Sequence, residues 1–198
     1  MKKITEADYI ESAKLLGVDI ATIKTVYQVE SNRSGFLESG EPTILFEGHK
    51  MWEQLVNAGK NPHNYVKGNE NVLYPKWTKA HYKGGQAEHL RLQKAEKINK
   101  DFARMSASWG AFQIMGFNYK LAGFDTLQAF INAMYSSEGE HLKAFVNFCK
   151  NYKVKGVSLQ TYLQRKDWES FAKFYNGSGY KLNQYDTKLK NAYAKFSK

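Results

Sequence analysis

The chain contains a single cysteine, Cys149, so no intrachain disulfide can form, and folding in a reducing compartment is the simplest history. It also lacks any apolar run long enough to span a bilayer. The N-terminus, Met1-Lys2-Lys3-Ile4-Thr5-Glu6-Ala7-Asp8, turns polar before a signal-peptide core could begin. Synthesis as a soluble protein without a signal peptide is therefore expected. The five histidines form no HExxH pattern and one cysteine cannot build a zinc cluster, so neither a metal nor a cofactor is expected. There is no nucleophile elbow for a Ser/His/Asp triad. Internal repeats, low-complexity segments and linkers are missing too, which leaves one domain over residues 1–198.

What the chain does have is apolar content (42% hydrophobic, 15% aromatic), enough for a packed core. It also has a formal charge of +10, which points to an anionic partner: nucleic acid, a membrane surface or an acidic polymer such as cell wall. Lysines interleaved with aromatics can stack bases, but no nucleic-acid motif accompanies them, and no nucleic-acid role is expected.

Helical periodicity dominates. Thr5 and Asp8 read as a capping box for a helix closed by Gly17, and Asp19 caps a second helix ending at Glu30. Ile20, Ile23, Val26 and Tyr27 place Glu30 inside the apolar arc of that helix. Partial desolvation and the negative end of the helix dipole would both raise its pKa, as a general acid requires. The alternative is a side chain whose tip escapes past the helix end. Pro42 to Glu47 is the best strand candidate, paired with residues 35–40 in a small hairpin. A helix is expected from His49 to Ala58, and residues 60–84 read as a long surface loop of the kind that walls a cleft.

A long basic helix is expected from Gln86 to Met105, with Leu90 on its buried side and a solvated basic face. Ser106-Ala107-Ser108 would then cap a short apolar helix, Trp109 to Met115. Gly110 and Gly116 in that segment suggest close approach of a backbone or ligand, and Gln113 among apolar neighbours needs a partner for its amide. Asp125 is read as the cap of a helix to Tyr135, followed by helices at 138–152, 158–164 and 167–175. Asn176-Gly177-Ser178-Gly179 breaks the chain without matching any phosphate-binding fingerprint, and a basic amphipathic helix spans 183–196. That last helix either docks on the domain, the favoured reading, or lies on an anionic membrane. The sum is an α+β fold, mostly α.

For paired-carboxylate chemistry the acids near Glu30 are Glu38, Glu41 and Glu47. Glu47 follows the β-prone run, which would fix it well, though it serves equally as a cap for the next helix.

Four stretches together resemble the phage-type N-acetylmuramidases, peptidoglycan-cleaving endolysin domains of the lysozyme-like superfamily. They are Val29-Glu30-Ser31 through Gly35-Phe36, Pro42 through His49, Ala107 through Gly116, and Phe174-Tyr175-Asn176-Gly177. The resemblance implies a lysozyme-like helical domain with a very small β-hairpin or sheet flanking the cleft. It implies Glu30 as the general acid, and Ser31, Ser108, Gln113, Tyr175 and Asn176 as substrate-binding residues. Glu47 falls at a family position, and its assignment as second catalytic group is our inference. The implied partner is bacterial peptidoglycan, cut by a monomer made in the host cytoplasm and acting on the periplasmic wall after release. Family members often carry a separate wall-binding domain; none is expected within 1–198, where basic charge would target the wall. A lytic transglycosylase and a non-enzymatic, membrane-disrupting or wall-binding protein are the competing readings.

Overall fold

The computed structural model describes residues 3–30 and 34–198. Thr5 and Asp8 form the expected capping box of α1 (Glu6–Leu16), which Gly17 closes in the left-handed region. The Asp19 carboxylate accepts the Thr22 N–H at 2.7 Å at the head of α2 (Ile20–Glu30). Then come β1 (Ile44–Phe46) and α3 (Gly48–Asn57). The segment after α3 is more than a surface loop, because Val72, Leu73 and Tyr74 within it are buried in the core.

The expected helix over 86–105 is two helices, α4 (Gln86–Glu96) and α5 (Lys100–Met105), with Asn99 capping the second by accepting the Phe102 N–H. Ala95, Ile98 and Phe102 face the core as their spacing predicts, but Leu90 does not. Leu90 is 60% exposed, whereas Glu88, His89 and Arg91 are buried. The reason is pairing: Arg91 donates to Glu88 at 2.7 Å and to the Phe46 carbonyl at 3.0 Å. Glu88 in turn accepts backbone N–H groups of Phe46, Lys83 and Gly84. A carboxylate so supplied can be buried, which an apolar-periodicity argument does not foresee.

The short helix expected over 109–115 is a β-hairpin instead. Strands β2 (Ala107–Trp109) and β3 (Ile114–Met115) pair antiparallel, and β2 also pairs with β1, Leu45 opposite Ser108. Gly110 (φ 72°) and Gln113 (φ 49°) adopt the left-handed conformation, which a helix cannot contain. The expected hairpin of residues 35–40 survives as one antiparallel bridge, Phe36 to Pro42.

Beyond the sheet, α6 (Leu127–Ser136) is capped by Thr126, not Asp125, since Thr126 accepts the Ala129 N–H. Helix α7 (Glu138–Asn151) is buried on almost every side and forms the centre of the domain, with Phe145 stacked against Phe112. A two-stranded hairpin, β4 (Lys153–Val154) and β5 (Val157–Ser158), turns through Lys155 and Gly156 at positive φ. Helices α8 (Leu159–Gln164) and α9 (Trp168–Asn176) follow, capped by Ser158 and Asp167. Last is α10 (Tyr185–Phe196), which packs on α2 and α9 with Leu189 and Ala192 buried. No helix among the described residues is long and apolar enough to cross a membrane.

Replacing Glu88 with Ala would strand the buried Arg91 guanidinium and leave three backbone N–H groups unpaired. Urea unfolding should show a loss of about 3–5 kcal/mol, far more than truncation of the exposed Leu90 on the same helix.

Candidate active site

Helix α2 delivers Glu30 to a cleft of about 240 Å³ between helices and sheet. It is lined by Thr43 and Leu45 of the β1 segment, Gly84 and Gly85, Gly110 and Gln113 of the β2–β3 turn, and Tyr185 at the start of α10. The Asn176 side-chain N–H group donates to both Glu30 oxygens, at 3.2 and 3.0 Å. Burial pushes the Glu30 carboxyl from 4.5 up to about 7, and the Asn176 hydrogen bond only partly opposes it. The surroundings explain the size of the effect: the charge of Glu30 is felt by Cys149, Tyr175 and Tyr185, none of which offers a compensating cation. Glu30 therefore holds its proton near neutrality while facing an open cleft.

The β2–β3 turn lining the cleft is rigid. Gln113 accepts the Ser108 hydroxyl at 2.8 Å and donates to the carbonyls of Gly110 (2.8 Å) and Thr43 (3.2 Å). The amide thus finds its partners within the protein and ties the hairpin turn to the β1 segment. Gly110 is required twice over, by its φ of 72° and because a Cβ there would meet the His141 ring at 2.8 Å. His141 accepts the Ala111 N–H at Nδ1 (3.1 Å), so Nε2 carries the proton toward the Met134 carbonyl (2.8 Å). Burial keeps this ring below the ordinary histidine pKa, hence neutral.

Glu138, buried at the head of α7, accepts the Gly35 N–H at 2.8 Å and the Tyr27 hydroxyl at 3.1 Å. It thereby anchors the chain just beyond the catalytic end of α2.

The residues singled out in the sequence are placed unequally. Glu30, Asn176, Ser108 and Gln113 come together. Tyr175 stands beside them, but its ring stacks on Phe171 and its hydroxyl donates to the Phe112 carbonyl at 2.6 Å, so it supports the hairpin turn and does not reach into the cleft. Ser31 lies outside the described residues. Glu47 stands apart from the groups lining the cleft. Its carboxylate accepts the Tyr82 hydroxyl, and His49 Nδ1 lies 3.3 Å away without hydrogen-bond geometry. Sequence reasoning missed Thr43, Tyr185, Glu138 and the Gly84-Gly85 pair. Only the paired glycines carried a local signal. Among the described residues no three His, Cys, Asp or Glu side chains come together to hold a metal ion.

A buried acid at a helix end, facing a β-sheet wall across a cleft, is a glycosidase arrangement, and the family model for N-acetylmuramidases matches residues 19–197. The chain belongs to the N-acetylmuramidase family. It is thus a peptidoglycan-degrading muramidase. Among solved structures it is similar to the Burkholderia AP3 phage endolysin, with 40% identity and a TM-score of 0.89 over 99% of this chain and 72% of that one. A search of curated proteins found no match.

The burial of Glu30 has a thermodynamic signature. Its folded pKa, about 7, exceeds the unfolded value of 4.5, so the native state favours the proton. That contribution is complete below pH 4.5 and is lost as pH rises through 7. The muramidase variant Glu30→Gln should therefore match the parent in stability at pH 4 and exceed it at pH 8 by up to ~3 kcal/mol, seen as a higher melting temperature.

Proposed function

We propose that this muramidase hydrolyses the β-1,4 bond between N-acetylmuramic acid and N-acetylglucosamine, with Glu30 protonating the leaving oxygen. The observation that carries this is a carboxyl with a pKa of about 7 opening into the cleft. Desolvation makes Glu30 a proton donor at the pH of the periplasm, and Asn176 fixes the carboxyl plane without supplying a positive charge that would discharge the proton. Glu47 is our candidate for the second carboxylate, activating water or steadying the oxocarbenium ion. In its support, Glu47 lies on the same face of the strand as Leu45 and Thr43, and its carboxylate is positioned by the Tyr82 hydroxyl.

A second reading is favoured by one feature: Glu30 is the lone acid among the described residues lining the cleft. A lytic transglycosylase needs only that one group, first as acid and then as base, while the sugar's 6-hydroxyl attacks the anomeric carbon.

The likeness to a phage endolysin supports synthesis in the host cytoplasm and action on the periplasmic wall after release; a single catalytic domain over 1–198 acting as a monomer is our own reading. The charge of +10 would draw it to anionic wall or membrane surface. With the apolar stripe of α10 packed inward, only its lysines are left for such a surface.

Digestion of purified sacculi should yield reducing ends rather than 1,6-anhydro sugars by mass spectrometry, and Glu30→Gln should abolish release while keeping the fold. Activity should fall as pH rises past about 7, when Glu30 loses its proton. Glu47→Gln should cut the hydrolytic rate at least a hundredfold if Glu47 activates water. An unchanged rate with anhydro products would establish the transglycosylase.

A further inference from the structure

Burial alternates residue by residue from Glu41 to Gly48: Pro42, Ile44, Phe46 and Gly48 face the core, and Glu41, Thr43, Leu45 and Glu47 face outward. Thr43 and Leu45 line the cleft beside Glu30. The same face therefore continues to Glu47, about 6.6 Å beyond Leu45 at the rise of a strand.

The neighbouring loop runs in parallel. Gly84 and Gly85 line the Glu30 cleft, and two residues earlier Tyr82 hydrogen-bonds Glu47. Trp77 lies near the Tyr82 hydroxyl. Strand and loop thus travel outward together, Thr43–Leu45–Glu47 alongside Gly85–Tyr82–Trp77.

At the outer end of this track Trp77 is 60% exposed. Its indole lies on the Tyr82 side of the loop while most of its apolar surface meets water. Lys79 holds its ammonium 5.8 Å from the ring centroid. A half-bare indole beside a lysine is suited to the apolar face of a pyranose ring, with the lysine available to a sugar oxygen or an acidic stem substituent.

We propose that Trp77 is a saccharide-stacking platform, a remote subsite that engages the glycan strand beyond the bond being cut and sets its register. This rests on the reading that the Glu30 cleft holds a glycan, and it adds a selectivity for long strands over short ones.

The test uses the full chain carrying Glu30→Gln, with the trimer and hexamer of β-1,4-linked N-acetylglucosamine as probes in calorimetric titration. Trp77→Ala should weaken hexamer binding roughly tenfold and leave the trimer unchanged. In the otherwise unaltered enzyme it should raise KM on sacculi with kcat preserved. Trp77→Phe, which keeps a ring face but loses the N–H, should retain most of the hexamer affinity. Equal losses in the Phe and Ala variants would assign the effect to the indole N–H and overturn the platform, as would unchanged hexamer affinity in Trp77→Ala. If the Glu30→Gln protein still cuts the hexamer, it is the assignment of the acid that fails, and Trp77 is then judged by KM on hexamer against trimer. The melting temperature should stay put in both Trp77 variants, since the ring lies largely in solvent.

Discussion

What separates the Glu30 carboxyl from the other buried acids is the supply of hydrogen-bond donors. Glu88 and Glu138 are both buried, and each is met by several: backbone N–H groups and an arginine for Glu88, a backbone N–H and two hydroxyls for Glu138. Glu30 receives one neutral amide. With burial opposed by that single hydrogen bond, Glu30 keeps its proton, whereas Glu88 and Glu138 serve as structural hubs for the donors around them. The rest of the architecture follows from that difference. Glu138 and Glu88 tie the surrounding segments together, Glu138 on the segment after α2 and Glu88 on β1 and the Lys83-Gly84 backbone. They hold them around an acid that must be deprived of just such partners.

The sequence showed the helical layout well because caps and glycine stops are local. Thr5 with Asp8, Gly17, Ser158 and Asp167 act within one turn of their own helices, and nothing distant overrides them. The errors arose where distant groups decide. Ala107 to Met115 has a composition that suits a helix, yet it is a hairpin because β1 offers it a ladder and Gly110 and Gln113 accept left-handed backbone. Leu90 was expected inside, whereas it is exposed and Glu88 is buried. Glu88 can be buried because Phe46, Lys83 and Gly84 bring their donors from more than one part of the chain to the carboxylate.

The candidate site was legible to the same extent and for the same reason. Glu30 could be placed by its position in the apolar arc of α2, and its desolvation follows from that arc. Asn176 and Gln113 came from residues quoted for the family resemblance, and both meet the cleft or its acid. Tyr185 could not be foreseen, since nothing in an amphipathic C-terminal helix says which helix it will cover or that its first residue will look into a cleft. Tyr175 shows the reverse case. An aromatic hydroxyl beside a turn suggests a ligand contact, whereas the Phe112 carbonyl, distant in sequence, claims it.

The docking of α10 on α2 joins the second helix of the chain to the last. On the ribosome, Glu30 is made early and then waits, on an exposed helix lacking its α10 cover, for more than a hundred further residues. During that interval water reaches the carboxyl and it behaves as an ordinary surface glutamate. The surroundings of Glu30, Asn176 on α9 and Tyr185 on α10 included, are therefore complete only when nearly the whole chain has been made.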